Sequence, residues 1–153
     1  MEITSTARIE APLDRVWDVL KDIPRTANCL PGTKITEKID DRTYRADVDL
    51  KVGPVTLNYR AMLRLESLDE SAHAAVMHVE ATDKKGRGNA AATVHTSAVA
   101  DDGATTITVT ADARIAGVLA QLGGGLIKSV AARQLAQFAQ NVRAEVERGT
   151  STA

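Results

Sequence analysis

Aromatic residues are scarce in this 153-residue sequence, and Trp17, Tyr44, Tyr59 and Phe138 are all of them. A core without large rings must be filled by alanine, valine, leucine and isoleucine. A sheet surfaced with alanine is shallow and leaves room above it, unless an alanine-rich core simply closes over the space. Cysteine occurs once, as Cys29. That excludes an internal disulfide and fits a reducing cytoplasm. Neither sign of charge is in excess, with 19 basic and 20 acidic residues and a formal net charge of −1. No basic patch is interleaved with aromatics, so nucleic acid is not an expected partner. No apolar run reaches the ~20 residues that span a bilayer. The opening "MEITSTARIE" has no charged head followed by an apolar run, the pattern of a secretory signal. Repeats and low-complexity linkers are missing too, so residues 1–148 read as one domain and 149–153, "GTSTA", as a flexible tail.

What is present is organised around the stretch "GVLAQLGGGLIKSVAARQLAQFAQNVRAEVER". Leu126, Ile127, Val130, Ala131, Leu135, Phe138, Ala139, Val142 and Val146 recur at gaps of three and four, one apolar stripe on a helix. Lys128, Arg133, Gln137, Gln140, Arg143 and Glu147 fall mostly on the opposite side. The spacing predicts a long helix over Leu126 to Glu147, and no other stretch reads as one. Its stripe must therefore be buried against strands.

Upstream, Ile3, Ser5, Ala7 and Ile9 alternate with polar residues and predict a half-buried first strand. Pro12 suits the first turn of a short helix with Leu13, Val16, Trp17 and Leu20 on its buried face. A second short helix follows Asp22 and is stopped by "LPGT". From Lys34 onward the period is two. Tyr44, Ala46, Val48, Leu50 and Val52 share one strand face, and Val55, Leu57, Tyr59, Ala61, Leu63 and Leu65 resume the alternation after Gly53-Pro54. Further strands are predicted for Ala72 to Thr82, Gly88 to Ala100 and Thr105 to Ile115, with "DKKGRGN" and "DDGAT" as hairpin turns. Consecutive hairpins require an antiparallel sheet, and one helix stripe covers only one of its faces. The expected fold is α+β of the helix-grip kind: a curved antiparallel sheet of about seven strands wrapped around a long C-terminal helix, with two short helices after the first strand.

Several residues invite chemistry. A hairpin turning at Lys85 to Arg87 would set His78 and His95 nearly opposite, with Glu80 close by. Two imidazoles and a carboxylate suit zinc or iron, but three or four ligands must converge. The same pairing places Met77, Val79, Ala92 and Val94 on the apolar face and both histidines outside, so no metal site is expected. Cys29 has no base to activate it and reads as a buried thiol. Gly123, Gly124 and Gly125 lack the strand and spacing of a phosphate cradle. They either form a flexible lip at one end of the helix or separate a short turn at Val118 to Leu122 from the helix proper. Asp83, Lys84, Lys85 and Arg87 read as a solvated hairpin tip.

A curled sheet gripping one helix leaves an apolar gap. Its expected walls are Trp17, Leu20, Leu30, Tyr44, Tyr59, Met77, Val79, Ala92, Val94, Leu126, Val130 and Phe138. Its expected mouth is Cys29, Pro31 and the Gly123, Gly124, Gly125 run. No inward-facing acid–base pair is evident, so catalytic residues are not assigned.

The strings "APLDRVWDVLKD", "CLPG", "KVGPV", "GRGNAAATV" and "LAQLGGGLIKSVAARQLAQFAQNV", in this order from Ile9 to Val142, resemble the G-subunit family of carbon monoxide dehydrogenase, within the START-like helix-grip (SRPBCC) superfamily. The resemblance implies a protein that accompanies a molybdenum hydroxylase of the CO dehydrogenase type at the cytoplasmic membrane. Many members carry a longer C-terminus suited to touching the membrane, whereas this sequence stops at Ala153. The expected role is a non-enzymatic carrier of an apolar molecule. An isoprenoid quinone is its expected cargo and no cofactor is covalently bound. A bare adaptor for the oxidoreductase, or a cyclase- or hydrolase-like enzyme of the same superfamily, are the alternatives. The expected location is cytoplasmic, with peripheral contact on the inner face of the cell membrane.

Overall fold

The computed structural model describes residues 1–151, with side chains through Arg148. The chain runs β1 (Glu2–Ile9), α1 (Leu13–Leu20), α2 (Ile23–Cys29), β2 (Thr33–Asp40), β3 (Thr43–Val52), β4 (Val55–Asp69), β5 (Ala74–Asp83), β6 (Gly88–Asp101), β7 (Ala104–Gly117), α3 (Val118–Gln121) and α4 (Gly124–Ser151). The strands form one seven-stranded antiparallel sheet in the order β1-β7-β6-β5-β4-β3-β2. The expected helix-grip architecture is the observed one.

Side-chain period sets which face of each strand is inward. In β3, Tyr44, Ala46 and Val52 are buried while Arg45, Asp49 and Lys51 are exposed. Register then carries that face across the sheet, because directly opposed residues share a side. Met77 lies opposite Val94 and Val79 opposite Ala92, as the alternation requires. The β6–β7 link is a two-residue turn in which Asp102 (φ 54°) and Gly103 (φ 85°) are both left-handed. That conformation matches the twist of the flanking strands. A register shift between Leu65 and Ser67 in β4 bends the sheet, and two more lie in β2.

The short helices start where their residues demand. The Pro12 carbonyl accepts from the Val16 N–H at 3.0 Å. The Asp22 carboxylate accepts from the Arg25 N–H at 3.1 Å, capping α2. Val16, Trp17 and Val19 are the buried face of α1, and Ile23, Ala27 and Cys29 that of α2. At the other end of the chain, Gly123 (φ 87°) separates α3 from α4. Gly124 and Gly125 belong to the first turn of α4, which is the separating role rather than the lip. The long helix contains the expected Leu126–Glu147 span and continues to Ser151, into the segment expected as a tail. The rest of that segment lies outside the described residues.

Ile127, Val130, Phe138, Ala139, Val142 and Val146 are the buried stripe of α4. The helix lies close against β1, α1 and α2 and stands off from the middle of the sheet. Three apolar clusters result. One joins Ile9, Val16, Val19, Phe138 and Val142. A second joins Val52, Leu57, Ile127 and Val130. The third joins Ile23, Tyr44, Ala46 and Leu63. The gap among them is the cavity described below.

The β5–β6 hairpin departs from the solvated tip that its charges suggest. Asp83 is 3% exposed. It lies opposite Tyr59 in the β4–β5 register and so faces inward. Arg87 Nε donates to its carboxylate at 2.9 Å and the Lys85 N–H at 2.7 Å, while Lys84 pairs with Asp47 at 3.1 Å.

Candidate ligand cavity

A cavity of about 450 Å³ lies between the concave face of the sheet and the three helices α1, α2 and α4. Its size falls in the usual range for small-molecule sites, ~300–1,000 Å³. Alanine makes much of the room: Ala61, Ala75, Ala81 and Ala111 on the strands and Ala27 and Ala131 on the helices all border it. The sheet is shallow there, and the helix stands too far off to fill the space.

Of the residues expected as walls, Trp17, Leu20, Leu30, Tyr59, Met77, Val79, Val94 and Phe138 border the cavity, and so does Pro31 from the expected mouth. The others are elsewhere. Tyr44 is buried in the cluster that includes Ile23 of α2 and Ala46 and does not border the cavity. Ala92 shares the inward face with Val79 but lies between Val79 and Ala113, beyond the cavity wall. Val130 packs with Val52 and Leu57 and is closed off from the cavity. Leu126 is 39% exposed and does not border the cavity, whereas the next residue, Ile127, is buried with Val52 and Leu57. Cys29 is 2% exposed within the cluster of Ile9, Val16 and Phe138, so it is core rather than mouth. Gly123, Gly124 and Gly125 do not border the cavity, since they begin the helix rather than edge the gap.

Residues that sequence reasoning passed over include Val109 and Ala111 on β7 and Gln134 and Leu135 on α4. The first two follow from the same period of two that placed Val94, because Val94 is opposite Ala111. Gln134 had its own signal. It stands four residues from both Val130 and Phe138, a polar side chain on the apolar stripe.

The wall is poor in ionisable groups. Lys21 and Tyr59 are the ionisable residues among those described on it. Lys21 Nζ is drawn to Asp18 at 3.5 Å and to Glu70 at 3.6 Å, which ties α1 to the β4–β5 turn. Burial pushes the Tyr59 phenol up, and the Asp83 carboxylate adds to that, so Tyr59 is a neutral hydroxyl. Burial likewise raises the Cys29 thiol, with Glu145 adding to it, which keeps sulfur protonated. Trp17 meets His73 edge-on at 5.5 Å between ring centres, and its Nε1 is buried without a hydrogen-bond partner.

The histidines sit as an outer-face pair. His78 is opposite Thr93 and His95 opposite Val76, so they are offset diagonally rather than opposed. His78 Nε2 reaches Glu80 at 3.3 Å. Among the described residues no group of three or more His, Cys, Asp or Glu is placed to hold a metal ion.

The family model for the G subunit of carbon monoxide dehydrogenase (CoxG) matches residues 6–147. The chain belongs to the CoxG family. No curated protein matches it in sequence. Solved structures share the fold of this CoxG protein. A conserved protein from Geobacillus kaustophilus superposes with a TM-score of 0.84 at 21% identity, over 97% of this chain and 96% of that one. A START superfamily protein from Mycobacterium smegmatis gives 0.66 at 15%, over 96% and 97%. An aromatase/cyclase from Streptomyces gives 0.66 at 19%, over 97% and 94%. At these identities the likeness is one of fold, and that fold serves an enzyme as well as the CoxG family. Among the described residues no helix is long and apolar enough to cross a membrane.

Proposed function

We propose that this CoxG protein is a non-enzymatic carrier of an apolar, lipid-like molecule, accessory to a CO dehydrogenase-type molybdenum hydroxylase at the cytoplasmic membrane. An isoprenoid quinone is its cargo. The observation that carries this reading is the apolar cavity of about 450 Å³, bordered by aliphatic side chains, Phe138 and Trp17, with no acid–base pair on its described wall. General acid–base chemistry needs two titratable groups within reach of one reacting centre. Lys21 is held by carboxylates and Tyr59 is a neutral phenol, so the wall favours holding over turnover.

The family supplies the electron-transfer context, and chemistry supplies the cargo. An oxidoreductase must hand its electrons onward, and a lipid-soluble acceptor needs shelter from water outside the bilayer. A cavity of this size takes a quinone ring and the first isoprene units, leaving a longer tail to lie in the mouth. Native mass spectrometry of protein purified without detergent tests the reading. A bound mass of a lipid quinone supports the carrier. Consistent absence of any lipid-sized mass favours a bare adaptor that recruits the oxidoreductase through surface contacts.

A further inference from the structure

Most polar side chains that border the cavity are either committed or short. Thr26 Oγ1 donates to the Val19 carbonyl at 2.8 Å. Lys21 is drawn to Asp18 and Glu70. Ser5, Thr33 and Thr96 keep their hydroxyls within one bond of Cβ, at the level of the strands. Gln134 has no partner, but it is half-buried and borders a shallow surface pocket as well. Tyr59 differs from all of these. It is 6% exposed and borders the cavity, and its hydroxyl makes no hydrogen bond among the described residues. Trp17 Nε1 is also unpartnered but is sealed among protein atoms, whereas the Tyr59 oxygen is not. The open space that Tyr59 borders is the cavity.

The register shows why that hydroxyl is left free. Asp83 lies directly opposite Tyr59 and faces inward with it. Yet both Asp83 oxygens already accept, Oδ1 from the Lys85 N–H at 2.7 Å and Oδ2 from Arg87 Nε at 2.9 Å. The carboxylate therefore acts on the phenol through its charge, not by accepting its proton. Burial and that charge keep the phenol protonated, and a protonated phenol is a donor. A donor held out of water without an acceptor is costly, and a ligand that brings an oxygen to it removes the cost. The wall also decides which kind of oxygen. Lys21 is the cation among the described residues on it, and two carboxylates already hold it. A carboxylate or phosphate head finds no free counter-charge there, whereas a neutral carbonyl needs none.

We infer that Tyr59 selects the cargo, its hydroxyl donating a hydrogen bond to a neutral carbonyl oxygen on an otherwise apolar molecule. The cavity then favours a ketone or quinone over a hydrocarbon of the same shape, and over a fatty acid. This rests on the carrier reading above and adds the residue that discriminates among apolar cargoes.

Equilibrium dialysis with duroquinone and durene tests it, since the two share a methylated ring and differ in the carbonyls. The wild type should bind duroquinone more tightly than durene, and methyl decanoate more tightly than decanoate. Tyr59→Phe removes the hydroxyl and keeps the ring. It should weaken duroquinone binding about fivefold, the worth of one hydrogen bond, and leave durene unchanged. Tyr44→Phe removes the same group from a tyrosine that does not border the cavity, and should change neither. Unchanged duroquinone affinity in Tyr59→Phe, or equal losses for duroquinone and durene, would overturn the inference. So would a duroquinone loss in Gln134→Leu alone, which would move the contact to α4, or tighter binding of decanoate than of its methyl ester. Each of these leaves the carrier standing, because the wild type still holds an apolar ligand. Failure of the wild type to bind any of the four probes sinks the carrier and the inference together.

Discussion

Asn141 on α4 donates its side-chain N–H to the carbonyl oxygen of Cys29 at 2.9 Å, joining the end of α2 to the long helix across 112 residues of sequence. Gln137 donates to Asn141 Oδ1 at 3.0 Å from the previous turn. Arg25 Nε donates to Glu145 at 3.2 Å from the next. These contacts hold the loop Leu30-Pro31 against α4, and both residues of that loop border the cavity.

Asn141→Ala should therefore loosen that loop more than the fold. It leaves a part-buried carbonyl at the end of α2 unpaired, at a cost of about 1–2 kcal/mol. Hydrogen exchange should rise at the Leu30 N–H, which donates to the Ala27 carbonyl at 3.1 Å, before it rises in the central strands. Unchanged exchange there would show that the tie does not hold the loop.

Phe138→Ala should cost about 3 kcal/mol, near the low end for deleting a buried phenylalanine. The ring is 4% exposed and packs with Ile9, Val16 and Val142, but one side already faces the cavity and loses fewer contacts. Chemical denaturation measures it. A loss below ~1 kcal/mol, the range of surface positions, would contradict the facing of α4.

Ala111→Phe should close the cavity while the fold survives, since overpacking costs ~1–3 kcal/mol. Ala111 borders the cavity between Ile3 and Val94. Trp17, the single tryptophan, borders it too and reports occupancy by quenching. Titration with a short-chain quinone should show at least a roughly tenfold loss of affinity, a difference of ~1.4 kcal/mol. Ala92→Phe, beyond the wall, should bind like the wild type. Equal affinity in the Ala111 variant would place the ligand elsewhere.

Glu145 should give the fold an acid-sensitive clamp. Burial alone raises its carboxyl, but the hydrogen bonds from Arg148 and Arg25 outweigh that and hold it below the ordinary 4.5. A depressed carboxyl pKa stabilises fully above the ordinary value, and that contribution fades as pH falls through the folded value. The group is part-exposed, so the amount is under about 1 kcal/mol. Glu145→Gln should lower the melting temperature slightly at neutral pH, and the difference should fade as acidification takes the pH below the depressed value of that carboxyl. A constant difference down to acid pH would mean that packing, not charge, carries the contact.

The period of two was enough to tell which side of each strand is inward. Tyr44, Ala46 and Val48 on β3, and Met77 and Val79 opposite Val94 and Ala92, face inward because β side chains alternate without exception in an unbulged strand. The spacing of three and four likewise located α4, while its true start at Gly124, just after the left-handed Gly123, was left between two readings of the glycine run.

Periodicity says which face is turned inward, not what lies above it. Tyr44 and Tyr59 share a face, yet the first is packed in a cluster with Ile23 of α2 and the second borders the cavity. Leu126 and Phe138 both belong to the apolar pattern of α4, yet the first is 39% exposed and the second is buried against Ile9 and Val16. Asp83 reads as a turn residue until the register sets it opposite Tyr59 and turns it inward to Arg87. Where α2 and α4 come to rest over the sheet is set by contacts such as Asn141 to Cys29 between residues far apart in the chain. A local pattern carries no information about those distances, so the cavity exists only once the tertiary fold has formed.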